Sequence, residues 1–202
     1  MKVLLSTAYF PPIIYFNYLT QQDCIIEGFE NFQKQSYRNR CNILSANGTE
    51  QLIVPVKHHK LEFVPIQEQE ISYAENWQIK HWRSITSAYN HAPFFEFYKD
   101  DLKAILMQKY LLLFELNQSL LKLILANLQL NTPSISNKWE LEPTDFIDKR
   151  NAIHPKNEKE FISQNYHQVF SKKFGFTPNL SILDLLFNLG PEAHLFLLKN
   201  KK

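Results

Sequence analysis

Strand-like runs fill the first quarter of this chain, and helical periodicity takes over after Val56. That asymmetry limits the available folds more than any single motif does. Val3-Leu4-Leu5 is an unbroken apolar run, short enough for a strand buried on both faces. Pro11-Pro12 then turns the chain, because each ring fixes its own φ and the second keeps the first out of the helical region. Ile13 to Thr20 fits one short helix or turn, and Asp23 to Phe29 a second strand. Cys41–Leu44 and Gln51–Val56 read as a hairpin whose connection carries Asn47-Gly48, the strongest short hairpin signal. The polar run from His58 to Gln69 is a loop, and Glu70–Tyr73 closes a short strand.

Beyond it, Trp77, His81, Ile85, Ala88 and Tyr89 recur at helical spacing behind Asn76, a residue type that caps helices. Ala92-Pro93 ends that helix. Leucines and isoleucines from Leu102 to Leu128 form a stripe that predicts one long helix over about 99–128 and reads as a packing face. Thr132-Pro133 breaks it, and Ser134–Ser136 is a further strand. Residues 137–165 are polar and carry Pro143 and Pro155, which predicts a long loop with short helical turns, of the kind that is functional or mobile. Near the end, Asn179 or Ser181 caps a helix that stops at Gly190, and Pro191 opens a last one to about Lys199. The sum is an α/β fold: a mixed sheet built mainly from the N-terminal third, covered by long helices, with 1–202 as one domain.

The totals exclude several classes. A formal charge of +2 is too small for a protein whose main partner is duplex nucleic acid. Only four glycines are present, and neither of the common glycine-rich phosphate loops occurs, so a nucleotide site would need side chains or a helix N-terminus. The cofactor stays open. Cys24 and Cys41 read as reduced, buried thiols, and no His or Cys spacing suits a metal. No run approaches the length of a membrane-spanning helix, and the N-terminal apolar run is too short for a signal peptide. The expected location is the cytoplasm. The oligomeric state stays open.

Against that near-neutral background, Lys34, Arg38 and Arg40 crowd into one short segment between two strand-like runs. Arg38 and Arg40, two apart, would point the same way from a strand and could together hold a phosphate or carboxylate. Lys80 and Arg83 share a helix face, with His81 turned toward the apolar stripe as either a core histidine or a general base. Tyr9 ends the first strand, where ligands favour the sheet. Asp184 sits among leucines and needs a partner, either an arginine such as Arg38 or Arg40 or a ligand that it anchors or deprotonates. The expected site therefore has His81 and Asp184 as catalytic candidates. Tyr9, Lys34, Arg38, Arg40, Lys80 and Arg83 are its binding groups, with Lys34, Arg38, Arg40 and Lys80 converging on one pocket for an anionic small molecule. Cys41 is a weak nucleophile candidate because its neighbours are apolar.

Blocks running the length of the chain add a resemblance. They are Tyr9-Phe-Pro-Pro-Ile-Ile-Tyr-Phe16, Phe32-Gln-Lys-Gln-Ser-Tyr-Arg-Asn-Arg40, Leu52-Ile-Val-Pro-Val56, Trp77-Gln-Ile-Lys-His-Trp-Arg-Ser-Ile85, Ser87-Ala-Tyr-Asn-His-Ala-Pro-Phe-Phe95, Tyr166-His-Gln-Val-Phe170 and Leu180 through Gly190. In that order they resemble the WbqC-like protein family. The resemblance implies a role in bacterial surface-polysaccharide (O-antigen type) biosynthesis. It points to a transferase that moves an acyl or aminoacyl group onto an amino sugar, with a nucleotide-sugar or acyl donor as ligand. It brings no catalytic residues with it. The competing reading is a non-catalytic sugar-binding or assembly protein of the same pathway. A weaker fold-level echo of nucleotidyltransferases is opposed by the absence of histidine between Phe10 and Thr20.

Overall fold

The computed structural model describes residues 2–58, 63–137, 146–156 and 164–199. Strand β1 (Lys2–Ser6) has Val3, Leu4 and Leu5 all without solvent exposure. Successive side chains of a strand point to opposite faces, so both faces of β1 are covered, which is what an unalternating apolar run requires. Helix α1 (Ile13–Gln21) returns the chain to β2 (Cys24–Glu27), which pairs in parallel with β1 in the register Val3↔Cys24 to Ser6↔Glu27. Two short strands complete the sheet, β5 (Ser134–Ile135) beside β2 and β6 (Phe146–Asp148) beside β1. All four are parallel, in the order β5-β2-β1-β6.

The hairpin of β3 (Arg40–Ser45) and β4 (Gly48–Ile53) stands as a separate two-stranded antiparallel sheet. Parallel and antiparallel pairing thus both occur, as expected, but on two sheets. The hairpin turn is tighter than the sequence suggested. Ser45 pairs Gly48 directly, and Gly48 takes a φ of 104° that suits a residue lacking Cβ. Val54-Pro55-Val56 lies beyond β4, since a proline cannot donate to a ladder.

Helices α2 (Trp77–Tyr89), α3 (Phe95–Leu106), α4 (Leu113–Asn127), α6 (Ile182–Leu189) and α7 (Glu192–Lys199) supply much of the remaining core, while the short α5 (Ser171–Phe174) buries no residue. α2 and α6 pack on β3, and α7 packs on α1. The single long helix expected over 99–128 is two helices, because the chain leaves helical geometry to bond a distant segment. Ile71 N–H donates to Leu111 O, Leu113 N–H donates to Gln69 O, and the Tyr73 hydroxyl bonds the backbone of Tyr110. The same contacts leave Glu70 and Ile71 in isolated bridges rather than a strand. Asn76 precedes α2, but its side chain makes no capping bond. Strand β6 falls inside the expected long loop, while residues 138–145 and 157–163 of that loop lie outside the described residues. No helix among the described residues is long and apolar enough to cross a membrane.

The end of α6 follows the sequence closely. Ser181 Oγ accepts from Leu183 N–H, and Gly190 stops the helix at φ 54°. A Cβ on Gly190 would lie 2.4 Å from the Phe94 ring. Gly190→Ala therefore combines left-handed strain with a steric clash. It is expected to cost about 1–3 kcal/mol, read from the urea midpoint.

Candidate functional site

The segment between β2 and β3 carries the cationic cluster, and its two arginines have opposite fates. Arg38 precedes β3, so strand alternation does not place it beside Arg40. It is 3% exposed, and its main-chain carbonyl accepts from Asn117 Nδ2 at 2.8 Å. Its guanidinium forks onto Glu30, with Nε 2.9 Å from Oε1 and Nη2 on Oε2. Nη2 also donates to Ser6 Oγ at 2.8 Å, and Nη1 to Gln33 Oε1 at 3.2 Å. Burial pushes the Glu30 pKa up, and Arg38 draws it partly back. Arg150 lies close by on the far side, bonded to Asp148 and 3.7 Å from Glu27. These groups cluster at the carboxyl ends of β1, β2 and β6, around the point where strand order reverses and open α/β sheets usually take ligands. Here that point is a cleft of only about 10 Å³, lined by Ser6, Thr7, Arg38 and Arg150 among others.

The neighbouring phosphate position, the N-terminus of α1, is also spent within the protein. Ile13 N–H donates to Leu180 O at 3.1 Å and Ile14 N–H to Asn179 Oδ1 at 3.1 Å. The amides that cradle an anion in nucleotide-binding α/β proteins are thus already satisfied. This geometry, like the missing histidines, separates the chain from the nucleotidyltransferase pattern.

Arg40, the first residue of β3, turns outward instead. With Lys34 it lines a cavity of about 650 Å³, within the range of small-molecule sites. Lys57 and His58, just past β4, join them, and Phe32, Val54, Pro55, Val56 and Val64 form apolar lining. Arg40 Nη1 donates to Gln51 Oε1 at 3.0 Å, while Gln51 Nε2 donates to Asn42 Oδ1 at 3.2 Å. Arg40 Nε is buried without an acceptor. Lys57 is ion-paired with Glu70. No aspartate, glutamate, serine, threonine or cysteine lines the cavity among the described residues.

Tyr9 and His81 meet behind the cavity wall. Tyr9 is fully buried, and its hydroxyl lies 2.9 Å from His81 Nδ1. His81 Nε2 lies 3.1 Å from the carbonyl of Ile53, a cavity residue. A carbonyl only accepts, so Nε2 carries the proton and Nδ1 receives the Tyr9 hydroxyl. Burial lowers the His81 pKa to about 4 and raises that of Tyr9. The imidazole is neutral and both its nitrogens are engaged, an arrangement that holds Ile53 in place.

The remaining candidates lie elsewhere. Lys80 pairs with Glu75 on the surface, and Arg83 is exposed on the same helix; neither lines the cavity. Asp184 is 1% exposed, and its partner is not an arginine. Its Oδ2 accepts from Tyr166 Oη at 2.5 Å and Gln168 Nε2 at 2.9 Å, and the Tyr89 hydroxyl also bonds the carboxyl. Burial raises the Asp184 pKa to about 6 despite these bonds. Cys24 and Cys41 are free and buried, and burial lifts both thiols, that of Cys24 to about 12, away from nucleophilic use. Of the four cations expected to converge, the structure brings together Lys34 and Arg40, not Arg38 or Lys80. Sequence reasoning missed Lys57 and His58. The signal for them was the proline that ends β4 and releases the following residues from the ladder.

The model of the WbqC-like protein family matches residues 7–151 and 141–195. The uncharacterized protein Rv1507c of Mycobacterium tuberculosis is 28% identical over 94% of this chain and 94% of its own length. No solved structure matches.

Two predictions concern the buried charges. Arg38→Met leaves Glu30 unpaired in the interior and is expected to destabilise the fold by about 3–5 kcal/mol. Adding Glu30→Leu is expected to recover most of that loss, as read in paired urea titrations. Asp184 has a folded pKa above its ordinary 3.8, so its contribution to stability is complete below that value and is lost as pH rises through about 6. Asp184→Asn keeps an acceptor for Tyr166 and Gln168 but does not titrate. Its melting temperature relative to wild type is expected to climb between pH 4 and 7; a constant difference would contradict the assignment.

Proposed function

The chain belongs to the WbqC-like protein family, and on that premise we propose that it binds an anionic, sugar-bearing small molecule in the cavity of Lys34 and Arg40. In this reading it acts in the cytoplasm, in bacterial surface-polysaccharide biosynthesis, and transfers an acyl or aminoacyl group to an amino sugar. The observation that carries the binding step is the pair Lys34 and Arg40 on a cavity of about 650 Å³ whose described lining contains no carboxylate to neutralise them. Fixed cations beside an apolar wall favour a ligand with a charged end and a less polar body.

The chemistry suits a lining without hydroxyl or thiol. In acyl transfer to an amine the substrate supplies the nucleophile. Its nitrogen forms the new bond to the acyl carbon, the bond from that carbon to the donor's sulfur or oxygen breaks, and the amine's proton leaves to a base. His58 is the histidine in the described lining and takes that proton in this scheme. Lys34 and Arg40 hold the anionic part of donor or acceptor. His81 and Tyr9 are positioning residues behind Ile53, and Asp184 supports the core. The same lack of a hydroxyl, thiol or carboxylate in the described lining also favours a second reading, a sugar-binding or assembly protein of the pathway that performs no transfer.

The test is a thermal-shift panel of nucleotide-sugars, acyl-coenzyme A thioesters and ATP on wild type and on Lys34→Met/Arg40→Met. A ligand at about 100-fold over its Kd is expected to raise the wild-type Tm by roughly 5–10 °C. The double variant is expected to keep the unliganded Tm and lose the rise. Silence from every compound on wild type would end the binding proposal.

A further inference from the structure

Gln69 belongs to the cavity wall yet is only 3% exposed, and its side-chain amide is held from one side. Nε2 donates to the carbonyls of Lys57 at 3.0 Å and Glu70 at 3.2 Å. Carbonyls only accept, so the amide nitrogen must face them and Oε1 must face away. The main chain is fixed as well, since Gln69 O accepts from Leu113 N–H at 2.9 Å. Oε1 itself accepts nothing among the described residues, and it is not one of the partnerless atoms sealed from solvent. Asn39, on the same wall, shows the contrast. Its Nδ2 donates to Val54 O, and its Oδ1 is sealed, out of reach of any ligand. Gln69 thus offers the cavity a rigid and accessible acceptor.

Its neighbours on the wall are donors or are already engaged. Lys34, Arg40 and Lys57 can only donate. The carbonyls of Ile53, Val54 and Val64 accept from His81, Asn39 and Phe32. This arrangement sorts ligand groups. A phosphate or carboxylate oxygen at Gln69 Oε1 would set acceptor against acceptor. An acyl chain would cover the oxygen and leave it unmet, which is costly for a buried polar group. An ammonium is disfavoured by the like charges of Lys34 and Arg40 on the same cavity. A neutral donor, a hydroxyl or an amide N–H, satisfies Oε1 while the anionic part of the same molecule meets the cations.

We propose that Gln69 is a specificity-determining residue, accepting a hydrogen bond from a hydroxyl or amide N–H on the sugar of the ligand. This rests on the reading that the cavity binds an anionic, sugar-bearing molecule. It adds that the sugar, rather than an acyl chain, lies against Gln69.

The experiment is calorimetric titration at constant ionic strength with glucose 1-phosphate, galactose 1-phosphate, N-acetylglucosamine 1-phosphate and cyclohexyl phosphate. The last keeps the anion and the ring size without any ring hydroxyl. Wild type and Gln69→Met are compared, with Tm confirming that the variant folds. On wild type at least one sugar phosphate is expected to bind about ten-fold or more tightly than cyclohexyl phosphate, because a site built to pair a ligand donor rejects an analogue lacking it. Gln69→Met is expected to lose about ten-fold or more of the affinity for that sugar phosphate and to bind cyclohexyl phosphate as wild type does. A glutamine that served only to brace the wall would weaken both alike. The wild-type comparison decides the matter even where the variant does not fold. N-acetylglucosamine 1-phosphate as the tightest ligand identifies the amide N–H as the donor, and either of the others a hydroxyl. Cyclohexyl phosphate binding wild type as tightly as every sugar phosphate, or an equal loss for both kinds of ligand in Gln69→Met, overturns this inference and leaves anion binding standing. No binding by any of the four overturns both.

Discussion

The ion pair of Arg38 and Glu30 is the constraint from which the candidate site takes its shape. It is buried in the segment that joins the parallel sheet to the hairpin, and it reaches Ser6 at the end of β1. A buried pair of this kind contributes little net stability, since desolvation offsets most of the attraction, but removing one partner is severe. Its effect is geometric. With Arg38 locked inward and its carbonyl held by Asn117, the chain enters β3 in a fixed orientation, and Arg40 is delivered to the cavity. Tyr9 and His81 do a similar service for Ile53 on the opposite strand of the hairpin.

The sheet has the strand order of a nucleotide-binding half-fold, yet its two customary anion positions are used up. The α1 N-terminus is capped by residues 179–180, and the crevice between β1 and β6 is filled by Arg38 and Arg150 with their carboxylates. Strand order alone would have directed attention to that crevice. In the proposed reading, Lys34 and Arg40, which have no acidic partner among the described residues, direct it instead to the flank formed by the hairpin and the 28–39 segment, so site chemistry rather than fold analogy carries the reading.

Legibility from sequence followed the range of the interactions. β1, α1, β2, the hairpin and α6 are set by local patterns, by prolines, and by the Ser181 and Gly190 stops, and they were readable. The break between α3 and α4 was not, because bonds to Gln69 and Ile71 from far along the chain override a continuous apolar stripe. Lys34 and Arg40 were visible as unusual charges. Arg38 looked identical to them, and only its contact with Glu30, eight residues away, separates a structural arginine from an available one. Asp184 was correctly marked as needing a partner. Tyr166 and Gln168 could not be chosen over the arginines by pattern, since tyrosine and glutamine occur throughout the chain.

The hairpin shares no strand pairing with the parallel sheet. It carries Arg40, Gln51 and Ile53, and it is moored to the rest by side chains and by isolated backbone bonds such as Ser181 N–H to Asn42 O. In the proposed reading, recognition and scaffold are therefore modular. A lineage could retune what the ribbon grasps, by exchanging residues on its outer face, without disturbing a single rung of the four-stranded ladder.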